Sequence, residues 1–440
     1  MVLGEEDLAR FFISAGLLLF AALAMGELFA RHRQPRVIGE IVGGLILGPS
    51  VLGAVAPHLQ DEVLRSAGPS ANALGALNQL GLIWLMFAAG TELRRLPAGR
   101  ERVTTVSILI AGTTLPFALG LGLFAIAPPL HIGGPGADPA AVGLVFATAI
   151  AVTSIPVISR IMLDLGLLDT PFARVVLGAA VCEDIVMFAV LGVALGISQS
   201  SDEIGLAAAL NIEPGSTLGA AFYFCVVGAA LALGSVAAVR GARRDSLLRR
   251  ISGDVRAELL FIVAVVCGCL LVNIPPLFGG LVAGMALGGC GSSEATERVK
   301  AFGLSFFVPL YFALVGFRLD LLNAFDPVFF AGFFATACLI KAGSVYLGAR
   351  LAGEPLADAR SYAVAMNARG GPGIILATVA LDAGIVNMSF YVSLVMLAIL
   401  SSLAAGWWIE HSLVPSRSKA VPAAGIHPAG RIPAADGSVL

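Results

Sequence analysis

The sequence predicts an all-α polytopic membrane protein: about thirteen transmembrane helices, six before and six after a linker helix in inverted repeat, with two helices broken and crossing. Three observations predict this fold. Apolar residues make up 58% of the 440 and charged residues only 13%, at a mean hydropathy of +0.92, whereas soluble domains carry about 25% charge. The apolar residues gather into runs that match the roughly 20 residues needed to cross hydrocarbon. Two of these runs, 139–163 and 358–381, carry a polar centre with a proline.

In chain order the runs are 8–30, 37–56, 73–93, 103–127, 139–163, 171–198, 216–239, 255–273, 276–290, 301–317, 326–349, 358–381 and 387–409. The second and ninth are short and rich in glycine. The first opens on Glu5, Glu6 and Asp7, an acidic start where a cleaved signal has a basic one, so it is expected to remain as a span. With the N-terminus outside, 21 of the 27 basic residues fall on the inner side, and only Arg10, Arg65 and Arg318 on the outer. The positive-inside rule therefore predicts a cell-membrane protein with a cytoplasmic C-terminus. The basic segment RGARRDSLLRR (240–250) fits an anchor on anionic membrane lipid.

The six cysteines lie in or beside apolar runs. Cys267 and Cys269, two apart, do not share a helix face, so small buried residues are expected, with no metal cluster and no cofactor. The net charge of −2 gives no sign of a nucleic-acid partner.

Internal symmetry supports the repeat. LMFAAGTEL (85–93) parallels LYFALVGFRL (310–319), and ATAIAVTSIPVISRIMLDLGLL (147–168) parallels AVAMNARGGPGIILATVALDAGIV (363–386). Pairing the first six runs with the last six leaves 216–239 as the linker. An odd helix between the two halves reverses their orientation, the layout of many secondary transporters.

The broken centres are Thr153-Ser154-Ile155-Pro156 and Asn367-Ala368-Arg369-Gly370-Gly371-Pro372. An unpaired backbone group in hydrocarbon costs several kcal/mol, so other groups must satisfy such breaks. Proline deletes a donor, and crossed half-helices bring partial charges of about half an electron to mid-membrane. Arg369 is the expected fixed cation against the carbonyl ends.

The stretch AAVCEDIVMF (179–188) then sets Glu183 and Asp184 near the centre of a span, where each acid costs on the order of 3 kcal/mol. Neighbouring helix positions point about 100° apart, so one acid is expected to face a cation, Lys341, and the other a cavity. A carboxylate there binds a proton or a hard monovalent cation, not both, and the hydroxyls of Thr153 and Ser154 suit the same cation. Competition at one carboxylate, combined with alternating access, amounts to exchange. Glu40, in 37–56, is either an acid lining the entrance or an interfacial partner of Arg36.

Four motifs carry a family resemblance: QPRVIGEIVGGLILGPSVLG (34–53), GLIWLMFAAGTEL (81–93), TSIPVISRIMLDLGLLDTPFARVVLGAAVCEDI (153–185) and MNARGGPGI (366–374). With them the chain resembles the monovalent cation:proton antiporter-2 family over about residues 8–410. The resemblance implies a membrane domain over 1–410 that exchanges Na+ or K+ for protons in pH homeostasis. It implies scaffold and homodimer helices at 8–93 and 255–317, and core transport helices at 103–198 and 326–409. The family's ion-binding carboxylate maps onto Asp184, and the lysine of its electrogenic members onto Lys341. The chain departs from the family pattern in having Glu183-Asp184 where electrogenic members have two aspartates, and Arg369-Gly370-Gly371-Pro372 where an acid often follows the glycine. The Pro/Ala/Gly/Ser-rich tail 411–440 is expected to be disordered and cytoplasmic. A membrane enzyme or sensor reusing the fold is one alternative and an ion channel another; no nucleophile and base arrangement supports an enzyme.

Overall fold

The computed structural model describes residues 4–418 apart from 33, 65–67, 93–99, 130, 155–157, 159–161, 163–166, 168–169, 199–246, 272–275 and 292. The expected linker helix 216–239, Ile155, Pro156, Arg160, Cys225, most of the basic segment 240–250 and the tail beyond 418 lie outside these residues. Regular structure among the described residues is helical, with a single isolated bridge between Gly133 and Val386.

The longer helices of the first half are α1 (Glu5–Arg31), α2 (Arg36–Leu47), α3 (Pro69–Glu92), α4 (Arg100–Ile126), α5 (Pro139–Ala151) and α6 (Pro171–Ser198). Those of the second half are α7 (Val255–Leu271), α8 (Pro276–Gly288), α9 (Glu294–Phe302), α10 (Val308–Phe317), α11 (Pro327–Leu351), α12 (Leu356–Ala365), α13 (Gly370–Asp382) and α14 (Met388–Ser418). Nine helical stretches among the described residues are long and apolar enough to cross a membrane, and α5 and α8 are shorter apolar helices.

Local chemistry starts these helices where the chain enters them. Asp138 and Asp326 each cap an N-terminus with a side-chain oxygen, and a proline follows each in the first turn of α5 and α11. Such a proline occupies a position whose amide has no helical partner. Glycines with positive φ close α11 and α13: Gly353 at 83° and Gly384 at 69°, a conformation in which any side chain is strained.

Two boundaries differ from the sequence expectation. The run expected at 301–317 starts at Glu294, because Ser293 caps α9 by accepting the Thr296 amide at 2.9 Å. Between α9 and α10 the chain takes a π turn, Gly303–Phe307. Pro309 follows it and has no amide to return to the helix. The run 37–56 is helical to Leu47, breaks at Gly48 and resumes as one short helical turn at Leu52–Val55.

The two halves exchange partners. α2 packs against α1 of its own half and α10 of the other; α8 packs against α7 of its own half and α3 of the other. This reciprocity is the packing signature of a two-fold inverted repeat. Both seams close on glycine. A Cβ on Gly44 would overlap the Ala313 carbonyl, and one on Gly284 the Phe87 carbonyl, so the backbones meet directly, as small-residue membrane interfaces allow. Gly44→Ala is expected to force α2 and α10 apart and cost about 1–3 kcal/mol. A melting temperature of the detergent-purified protein that stays at the wild-type value would contradict this contact.

α4, α5, α6 and α11 to α14 form the other body of contacts. α4 lies on α11, α5 and α6; α12 and α13 lie on α14. The loop before α5 and the loop after α13 pair at one end, where Gly134 donates to Ile385 O at 3.1 Å and Asn387 to Ile132 O at 3.0 Å. α5 therefore runs inward from the end that α13 runs toward; α5 ends and α13 begins at the middle of the bundle.

Candidate ion-binding site

α5 ends at Ala151; Val152 continues in extended backbone, and Thr153 and Ser154 follow outside any helix. α12 ends at Ala365, and α13 begins at Gly370. The two breaks cross and hold each other. Ser154 N–H donates to Ala368 O at 2.6 Å, Thr153 Oγ1 donates to Met366 O at 2.6 Å, and Gly371 N–H donates to Ser154 Oγ at 3.2 Å. These are the partners that a helix broken inside a membrane requires.

The carbonyls freed at the end of α5 meet two buried cations. Arg369, 1% exposed, donates from Nε to Ala149 O at 3.1 Å and from Nη2 to Ile150 O at 3.0 Å and Ala337 O at 2.8 Å. Its Nη1 reaches Asn367 O at 3.2 Å and Asn367 Oδ1 at 3.0 Å. All five guanidinium N–H groups thus have acceptors. Arg369 makes no ion pair among the described residues; it answers the negative end of α5, where a cation is favoured.

Lys341 on α11 fills the remaining place. Its Nζ donates to Ala151 O, to Gly112 O at 2.8 Å and to Glu183 Oε1 at 2.8 Å. Those three bonds use the whole donor capacity of an ammonium. The pair is sealed, at 0% side-chain exposure for Lys341 and 1% for Glu183. Thr113 on α4 donates to the same Glu183 oxygen at 3.2 Å. A small cavity of about 20 Å³ is lined by Thr113, Thr148, Val152, Glu183 and Met187. That is room for about one water.

Asp184 differs from its neighbour. It is 3% exposed, and its Oδ1 has no hydrogen-bond partner among the described residues. Glu183 takes the lysine through Oε1, while its Oε2, like Asp184 Oδ1, has no partner among the described residues; the small cavity, expected beside the other acid, is lined by Glu183 and not by Asp184. The structure brings Glu183, Thr153, Ser154, Lys341 and Arg369 to one crossing, with Asp184 the next residue along α6. Glu40 stands elsewhere, on α2, where its Cγ would lie 3.2 Å from a Cβ on Gly26 of α1. Arg36 pairs with Glu27 at 3.2 Å and also acts on Glu40 through its charge.

Three contributors escaped the sequence reading. Ser402 Oγ accepts the Gly370 amide at 3.2 Å and Ser401 Oγ the Arg369 amide at 3.4 Å; they cap α13 from α14. The signal was a serine pair inside an otherwise apolar run, LAILSSLAAG (397–406). The third is α4, which supplies Gly112 and Thr113. No group of three or more His, Cys, Asp or Glu residues placed to hold a metal occurs among the described residues.

Two broken helices crossing at mid-bundle, with buried acids and cations at the crossing and reciprocal packing of the halves, define a secondary transporter of the inverted-repeat class. The chain belongs to the sodium/hydrogen exchanger transmembrane family, whose model matches residues 16–414. It is 28% identical over 409 residues to the Na(+)/H(+) antiporter NhaS4 of Synechocystis sp., covering 89% of this chain and 94% of that protein. It is 25% identical to the Na(+)/H(+)-K(+) antiporter GerN of Bacillus cereus, over 90% of this chain and 94% of the relative. It is 28% identical to Cation/H(+) antiporter 18 of Arabidopsis thaliana, but spans only 45% of that protein's length. Among solved structures, the sodium proton antiporter MjNhaP1 from Methanocaldococcus jannaschii shares the fold, with a TM-score of 0.58 at 15% identity over 92% of this chain and 98% of that one. The resemblance to cation:proton antiporters drawn from the motifs stands.

Proposed function

We propose that the chain is a secondary active transporter that exchanges Na+ or K+ for protons by alternating access, with the Asp184 carboxyl as the site they share. The observation that carries this reading is the buried Asp184 Oδ1, without a partner among the described residues, one residue from the Glu183–Lys341 ion pair. A bare carboxylate sealed in low dielectric is costly unless something neutralises it. Asp184 therefore crosses the membrane only when it holds a proton or a metal cation. That condition couples the two fluxes and blocks an empty return.

The other residues take supporting parts in this reading. Glu183 and Lys341 form a fixed pair beside the shared carboxyl. Thr153 offers its hydroxyl oxygen as a further ligand. Ser154 and Arg369 hold the crossing together, and Glu40 lies on the approach from the α1–α2 side. The helices α4–α6 and α11–α14 move as the transport core against a scaffold of α1–α3 and α7–α10, which also forms the homodimer contact within the lipid. The N-terminus faces outside and the C-terminus the cytoplasm. The names of the relatives, Na+, K+ and general cation antiporters with H+, point to the same substrate class.

The test places the purified protein in vesicles with an imposed pH gradient and adds Na+, K+ or Li+ in turn. Dissipation of the gradient that saturates with at least one of these cations is the expected result. Dissipation equal with and without every cation would sink the proposal.

A further inference from the structure

A proline lies inside α4, at Pro116. Having no amide hydrogen, it leaves the carbonyl four residues earlier, that of Gly112, without a helical donor. That carbonyl is the one Lys341 Nζ reaches at 2.8 Å. The next residue, Thr113, donates to Glu183 Oε1 at 3.2 Å, the oxygen that Lys341 also holds. Gly112 permits the approach: a Cβ there would stand 2.9 Å from Val345 Cγ2 and 3.5 Å from Glu183 Oε1. α4 also changes neighbour around the proline. Before it, Ser107 donates to Gly348 O on α11 at 2.7 Å; beyond it, a Cβ on Gly120 would come within 2.9 Å of Ala147 Cα on α5.

Resting on the functional reading above, we propose that Pro116 is a positioning residue of the ion site: by withholding an amide it leaves the Gly112 carbonyl to the Lys341 ammonium and so fixes the Lys341–Glu183 pair. An ammonium has three N–H groups, and here each has one acceptor. When residue 116 carries an amide, that amide takes the Gly112 carbonyl in the helical direction and draws it back toward the α4 axis. One lysine N–H then turns to another oxygen. Glu183 Oε2 and Asp184 Oδ1 are the buried carboxylate oxygens of α6 without a partner among the described residues, so the loosened ammonium shifts toward the acid pair and competes with the alkali cation there.

The test uses Pro116→Ala and Pro116→Gly in the full-length protein. Both supply an amide, while Gly keeps a helix easy to bend. In the vesicle assay both are expected to raise the apparent KM for the cation about tenfold, the equivalent of one charge-assisted hydrogen bond, and to change the maximal rate less. If Pro116 served only to bend α4, Gly would restore the wild-type KM, and that result would overturn the proposal. A second measurement does not depend on transport. Melting temperatures are compared for Pro116→Ala in the wild type and in Glu183→Gln/Lys341→Met, where near-isosteric side chains replace the buried pair. Without the ammonium, the new amide repairs an orphan carbonyl and raises the melting temperature. With it, the gain is smaller or reversed, the two shifts differing by about 2 °C or more. Equal shifts in the two backgrounds refute the contact. Should the wild type exchange no cation at all, the functional reading falls, and the melting comparison still decides whether Pro116 positions Lys341.

Discussion

Asp184→Asn is expected to reduce cation-dependent dissipation of a pH gradient by about two orders of magnitude or more, to the rate of protein-free vesicles. Asparagine keeps the size of aspartate and can hydrogen-bond, but it carries no charge to hold an alkali cation and takes no proton near neutral pH. Among the described residues the wild-type side chain has no partner at Oδ1 and no ion pair for the substitution to break. The protein should purify and melt like the wild type. That combination, intact folding with lost exchange, separates a transport role from a structural one. Undiminished exchange in the variant would remove Asp184 from the centre of the mechanism. Glu183→Gln removes the acid that Lys341 holds and makes the matching control: it should lower stability, because a buried ammonium loses its counter-charge.

The second large effect is expected from Arg369→Ala. The guanidinium is the described donor to the Ala149 and Ile150 carbonyls at the end of α5. A buried acceptor left without a donor costs about 1–3 kcal/mol, so the two together cost roughly 2–6 kcal/mol, a large part of the stability of an ordinary domain. The variant should lose its sharp melting transition in detergent. Arg369→Lys should fall between, since three N–H groups at the end of a different stem cannot reproduce five in a planar fork. An alanine variant that melts within a degree or two of the wild type would show that the arginine does not hold the crossing together.

These residues also show which features a sequence makes visible. The breaks were legible because proline and glycine inside an apolar run have few other uses, and Thr153-Ser154 and Asn367 to Pro372 do meet at the crossing. Glu183, Asp184, Lys341 and Arg369 were legible because charge in oil is costly enough to demand a reason. The helical offset implied that the two acids would part. It did not tell which would take Lys341, since that depends on how α6 is turned against α11. The share of α4 was hidden because Gly112 and Pro116 read as packing residues. Their effect passes through a main-chain oxygen that no side-chain pattern records. Ser401 and Ser402 were hidden for a similar reason: a hydroxyl in a span often bonds to its own helix, as Thr378 does to Ile374 O at 2.9 Å. The π turn at Gly303–Phe307 was invisible to hydropathy, which counts residues without counting their amides.

The ammonium of Lys341 touches α4 at Gly112, α5 at Ala151 and α6 at Glu183, and grows from α11. A single knot of three bonds therefore rivets four rods into one slab. Cutting that one knot is therefore expected to loosen all four rods at once.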